Sequence, residues 1–213
     1  MSSPQSSSGR FADLLTQPGL RERVELRSRF GLMAFHGGAL EKTTDVVGAE
    51  VAERTGSSYY EVWHPEVEPE VEKVPHLPST EVDPAQSGAL MTFMAHVETV
   101  VTLHGYGRDD RRWSILLGGR NRSLAGHVAA RFREDLPGYD VVDDLEAIPR
   151  ELRGQHPRNP VNLAAGGGLQ IELPPTIRWN WEERGWSDWA DVGRALDTEA
   201  LIDSLVWAIH TWR

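Results

Sequence analysis

Two histidines and one glutamate in this chain have the types and the placement to hold a metal ion. His36-Gly37-Gly38-Ala39-Leu40-Glu41 directly follows an apolar run, residues 30–35, that reads as a buried strand. A second apolar run, residues 97–103, also ends in histidine and glycine, His104-Gly105. Two glycines after His36 let the backbone fold so that His36 and Glu41 face one point. His104 would arrive there from a neighbouring parallel strand, because ligands of open α/β sheets gather at the carboxyl ends of the strands. Three nitrogen and oxygen donors with a fourth position open describe a catalytic zinc site and point to a hydrolase. Taken singly, each histidine has a plainer alternative, a buried ring satisfied by backbone groups. The plain alternative for Glu41 is a solvent-facing loop residue.

Such a site needs a carboxylate to accept a proton from water. Glu172 is the candidate, because it interrupts an apolar strand-like run, residues 169–173. A carboxylate there must be paired, metal-linked or catalytic, and the competing reading is an ion pair with Arg178. His76 either contacts the substrate or caps a turn, and its surroundings favour the turn. His64, His96, His127, His156 and His210 have no motif around them. Arg108, Arg111, Arg112, Arg120 and Arg122 follow His104 closely; they form either a local basic patch for an anion or a solvated loop. Six of the eight tryptophans lie between Trp179 and Trp212, where packing is favoured over an aromatic ligand surface.

The chain excludes several other chemistries. It has no cysteine, so neither disulfides nor thiolate ligands exist, and a metal must be held by His and carboxylate. No serine sits in a Gly-x-Ser-x-Gly elbow. The triple glycine 166–168 precedes a strand and has no Gly-Lys-Ser/Thr after it, which excludes a phosphate loop. The net charge of −10 argues against contact with a nucleic-acid backbone. No apolar stretch is long enough to cross a bilayer.

The elements that must position these residues alternate between strand-like and helix-like patterns, which predicts an α/β domain. Strands are expected near residues 30–35, 57–63, 97–103, 113–117, 139–142 and 169–174. Helices are expected from Thr43 or Thr44 as cap to about Arg54, over 121–136, and from Asp197 as cap to the C-terminus. Residues 61–75, rich in Glu, Val and Pro, read as an extended excursion, and 76–80 as a strand end. Residues 154–168 read as a long functional loop. The Ser-rich residues 1–10 read as a disordered tail with no secretory signal, so a cytoplasmic protein is expected.

The ordered set Phe35-His36-Gly37-Gly38-Ala39-Leu40-Glu41 with Thr44, His76-Leu77-Pro78-Ser79-Thr80, His104-Gly105-Tyr106, Gly118-Gly119, Asn159-Pro160-Val161-Asn162 and Gly168-Leu169-Gln170-Ile171-Glu172-Leu173 resembles the poly-γ-glutamate hydrolase family. This phage-associated group is related to zinc carboxypeptidases. The length suits a single domain over residues 11–213; the resemblance, from about Phe30 to Arg178 and into the last helix, implies a mixed, mostly parallel sheet flanked by helices in the zinc carboxypeptidase manner. It implies one zinc held by His36, Glu41 and His104, and Glu172 as general base. The implied substrate is a γ-glutamyl polymer or peptide; Asn162 and His76 are candidate contacts to it, and Arg178, Arg120 or Arg158 are the candidates to grip its carboxylate. A monomer without nucleic-acid or membrane partners is expected, released by lysis if phage-encoded. The family tends to carry an Asn-Arg pair where this chain has Asn162-Leu163, and leucine cannot grip a carboxylate. A metallopeptidase or amidase of the same fold, a non-catalytic binding protein, and a replication-associated protein are the alternatives.

Overall fold

The computed structural model describes residues 9–66, 76–187 and 193–213. Its centre is a seven-stranded mixed sheet. The strands are β1 (Arg21–Glu25), β2 (Phe30–Gly38), β3 (Ser58–His64), β4 (Thr99–Gly105), β5 (Ser114–Gly118), β6 (Asp140–Val142) and β7 (Gly168–Leu173). Their order across the sheet is β1-β3-β2-β4-β7-β5-β6. The pairs β3/β2, β2/β4, β4/β7 and β5/β6 are parallel, while β1/β3 and β7/β5 are antiparallel. The expectation of a mostly parallel α/β fold therefore holds.

Central strands β2, β4 and β7 are covered on both faces, which is why they read as nearly continuous apolar runs. Alternate residues serve opposite faces. Leu32, Ala34, Val101, Leu103 and Ile171 pack against helices α2 (Thr44–Thr55), α4 (Arg122–Asp135) and α6 (Leu196–Thr211). Met33, Phe35 and Val100 pack on the other side against α1 (Arg10–Leu15) and α3 (Gly88–His96). A short helix α5 (Pro175–Arg178) and a small hairpin, β8 (Trp179–Asn180) with β9 (Gly185–Trp186), follow β7. No helix among the described residues is long and apolar enough to cross a membrane.

Several boundaries differ from the sequence reading. Asp197 is not the cap of the last helix: Ala195 takes that position, and Asp197 lies in the first turn, accepting from the Tyr139 hydroxyl at 2.9 Å. Thr43 stands at the start of α2 in the left-handed region (φ 77°) without a side-chain cap, and Thr44 donates back to the Glu41 carbonyl at 2.7 Å. Residues 79–81 form a 3₁₀ turn rather than a strand end. Glu61 to His64 complete β3, and residues 67–75 of the expected excursion lie outside the described residues. Arg10, expected in the tail, opens α1.

Candidate metal centre

The carboxyl ends of β2, β4 and β7 meet at one edge of the sheet. His36 lies near the end of β2, where pairing with β3 shifts register between Ala34 and Gly37. The turn after it is tight: the Glu41 N–H donates to the His36 carbonyl at 2.8 Å, and the Ala39 N–H to the His64 carbonyl at 2.9 Å. Gly37 passes so close to Asp45 that a Cβ would stand 2.6 Å from that side chain. Gly38 takes φ 70°, open to glycine at little cost. The turn thereby returns Glu41 beneath His36. Gly105 has the same kind of constraint, since a Cβ there would stand 2.7 Å from the Arg178 guanidinium. This close approach lets the Gly105 N–H donate to Glu41 Oε2 at 2.9 Å.

His36, Glu41 and His104 are all buried, and one ligand atom from each lies within 4.8 Å of the others. Glu41 Oε1 stands 2.9 Å from His36 Nδ1, and Oε2 stands 3.2 Å from His104 Nδ1. Two donors on a tetrahedral zinc, each about 2.0–2.1 Å from the ion, are about 3.3 Å apart, so the spacing already suits that shell.

The proton inventory supports a cation here. His36 Nε2 lies 2.9 Å from the Leu77 carbonyl, which only accepts, so the ring proton sits on Nε2. Neutral His36 then presents a bare Nδ1 lone pair to a carboxylate oxygen. Burial lowers the His36 pKa despite the pull of Glu41, so a second proton is disfavoured. A metal ion satisfies both lone pairs, and a ligating histidine anchored through its other nitrogen is the usual arrangement. Burial alone would raise the Glu41 pKa, but positive charge on the neighbouring imidazoles more than offsets it; without a metal that charge falls on His104, whose pKa Glu41 raises against its burial, so Glu41 stays well below the ordinary range, ionised as a ligand must be. Phe35 packs edge-on to both imidazoles, with centroids at 5.1 and 4.9 Å, and keeps that side apolar.

Glu172 is the register partner of His104 across the parallel β4/β7 pair, so both project to one face. It is buried, and burial pushes its carboxyl up to about 7 against the opposing pull of His104. Gln170, two residues earlier on the same face, donates to Glu172 Oε1 at 2.8 Å and accepts from Asn159 Nδ2 at 2.8 Å. These two positioning residues were missed as such. The signal for Gln170 was a polar residue two before a buried carboxylate on a buried strand.

A cavity of about 800 Å³ opens on this group. His36, Glu41, His104 and Glu172 line its base, and His76, Arg150 and His156 lie among its walls. His76, largely exposed, brings Nε2 to 3.4 Å from Glu41 Oε1. The other expected substrate contacts do not reach this cavity. Arg178 is buried, and its guanidinium donates to the carbonyls of Lys42 at 2.8 Å, Tyr106 at 3.3 Å and Pro174 at 3.4 Å. Arg120 turns its Nε to the Gln155 carbonyl at 3.3 Å. Asn162 braces the long loop, donating to the carbonyls of Gly154 and His156 and accepting from the Arg120 N–H. Leu163 is 46% exposed and lines a separate cavity beside Arg158. Arg150, unmarked in the sequence, is exposed and lines the metal cavity, as does Arg153, whose guanidinium donates to the Ile148 and Glu146 carbonyls.

The model of the family described as poly-gamma-glutamate hydrolase matches residues 12–185. The chain belongs to the poly-γ-glutamate hydrolase family. Two solved structures share its fold: a bacteriophage poly-γ-glutamate hydrolase (TM-score 0.75, 20% identity, covering 91% of this chain and 89% of that one) and the zinc-free apo form of YNDL (TM-score 0.72, 20% identity, 90% of each). The Atu2144 gene product of Agrobacterium tumefaciens is more distant, at TM-score 0.51 and 13% identity over 90% of this chain and 93% of that one. No curated protein matches the chain in sequence. Membership makes it one of a family of hydrolases, and its buried His36–Glu41–His104 cluster could hold a metal ion.

Proposed function

We propose that the protein is a zinc-dependent hydrolase of γ-glutamyl amide bonds. The observation that carries this reading is the buried His36–Glu41–His104 group, where two imidazole nitrogens face one carboxylate at ligand spacing. His36 Nδ1, His104 Nδ1 and Glu41 would hold the ion. Zinc bound there supplies a Lewis acid that polarises the amide carbonyl and lowers the pKa of a water at its open position.

Glu172 takes the proton from the attacking water and delivers it to the leaving amine. A carboxyl poised near neutrality suits both halves of that transfer. Gln170 holds its Oε1, which leaves the other oxygen to take the proton. Arg150, exposed in the cavity lining, is the cation placed to meet a substrate carboxylate, a role that Arg178 and Arg120 cannot take from where they are engaged. His76 and His156 add donors on the same wall.

Metal content and cleavage of poly-γ-glutamate, measured together on wild type, His104→Ala and Glu172→Gln, test the reading. The expected result is about one zinc per chain in wild type and Glu172→Gln, loss of zinc in His104→Ala, and cleavage by wild type alone. Failure to take up zinc overturns the metal centre. Zinc with no cleavage of this polymer overturns the substrate. Undiminished cleavage by Glu172→Gln overturns the base.

A further inference from the structure

A second cavity, of about 690 Å³, adjoins the metal cavity, and Gly107 lines both. Its walls are Trp179, Trp181 and Trp186 from the β8/β9 hairpin region together with Arg108, Arg112 and Arg184. Among its described lining residues three are cationic and one, Asp109, is anionic. That balance is unusual in a chain of net charge −10. The acidic hairpin residues Glu182 and Glu183 do not line it.

We propose that this cavity is a remote subsite that binds the γ-linked glutamyl chain as it runs out of the metal cavity. The inference rests on the γ-glutamyl reading above and extends it. Each unit of such a chain presents one carboxylate separated from the next by an ethylene segment and an amide. A lining that combines indole rings with arginines suits both parts of that repeat. The ethylene segments lie on tryptophan faces, and the carboxylates meet guanidinium forks.

The geometry supports a built platform. Trp179 and Trp186 pack edge to face with centroids 5.3 Å apart, and the Arg178 guanidinium sits 5.2 Å from the Trp186 centroid. Trp181 is 64% exposed, a large apolar ring held at the surface beside these two. Arg184 takes the left-handed conformation (φ 56°), which an arginine adopts only under constraint. The turn that imposes it is closed by Asn180 Oδ1, which accepts from the Glu182 and Glu183 N–H groups at 3.1 Å each. Arg112 pairs with exposed Asp109, and Arg108 with exposed Asp110 and Glu151. Such surface pairs exchange for a substrate carboxylate at little cost. Glu151 lines the metal cavity, so the Arg108–Glu151 pair spans the two cavities.

The test compares a long poly-γ-glutamate with a γ-linked glutamyl trimer as substrates of the zinc-loaded enzyme. The variants are Trp181→Ala, on the surface, and Arg184→Gly, which removes the guanidinium while relieving the backbone. Each is expected to raise KM for the polymer about tenfold, the usual scale of one charge-assisted or aromatic contact, with kcat and the trimer KM unchanged. The Arg184→Gly enzyme should also show a shallower dependence of polymer KM on salt. Cleavage of both substrates with an unchanged polymer-to-trimer ratio overturns the subsite and leaves the proposed function standing. Equal losses on polymer and trimer overturn it too, because the residues then act at the metal cavity. Wild type that cleaves neither substrate overturns both.

Discussion

Glu172→Gln should stabilise the metal-free protein at pH 8 more than at pH 5. The folded-state carboxyl of Glu172 is pushed up to about 7 from an ordinary 4.5, mainly by burial. The folded protein therefore holds a proton that the unfolded chain releases between those values. Stability from this group is fully present below pH 4.5 and is lost as pH rises through about 7. At 1.36 kcal/mol for each decade of pH, the loss between pH 5 and pH 8 is roughly 2–3 kcal/mol. Glutamine cannot ionise, so the variant escapes that loss, while its Oε1 can still accept from Gln170. Any constant effect of the substitution cancels when the two pH values are compared. Unfolding entropy of roughly 2.1 cal/mol/K per residue over 213 residues converts the difference to about 6 °C. The assay is thermal unfolding of both proteins in chelator at pH 5 and pH 8. A relative gain for the variant under about 2 °C would refute the argument that Glu172 is buried with a raised pKa. Zinc should shrink the gain, because a dication beside the carboxylate favours its charged form.

Three further outcomes are expected. Zinc at a hundred times its Kd should stabilise wild type by about 2.7 kcal/mol, or roughly 6 °C in Tm; Glu41→Ala should show no shift, and an equal shift would place the ion elsewhere. Arg150→Ala should raise KM for the polymer about tenfold with little change in kcat, the signature of lost ground-state binding; Arg120→Ala in the same assay should leave KM unchanged. Gln170→Leu should move the acid limb of the kcat/KM profile to higher pH, because Glu172 loses the donor that favours its charged form; an unmoved limb would remove Gln170 from the positioning role.

The strands that carry the candidate site were legible because burial on both faces leaves a local mark. β2, β4 and β7 are covered on both sides and appear as apolar runs whatever their neighbours are. The edge strand β1, Arg-Glu-Arg-Val-Glu, has no such mark and forms because β3 offers it a ladder. The six-residue α1 exists through tertiary contacts: Phe11 and Leu14 are buried, and Gln86 accepts from the Phe11 and Ala12 N–H groups at 3.0 and 3.2 Å. A helix that short cannot hold itself in water. The apolar segment 88–96 has no polar face to give it a helical period, and Ser87 caps it only once it is folded.

The candidate site divides in the same way. Residue type and position at strand ends sufficed to bring His36, Glu41 and His104 forward, because glycines on tight turns and histidines ending buried strands are local features. Arginine chemistry is not local. Arg178, Arg120 and Arg150 carry the same guanidinium on stems long enough to point several ways. Packing turned the first to buried carbonyls and the second to the Gln155 carbonyl, and left the third exposed among the residues that line the cavity. The sequence by itself determined an α/β sheet and the donors that its strand ends would present. Only the tertiary structure decided which charged side chains face the cavity, because that depends on which backbone carbonyls the fold leaves without partners.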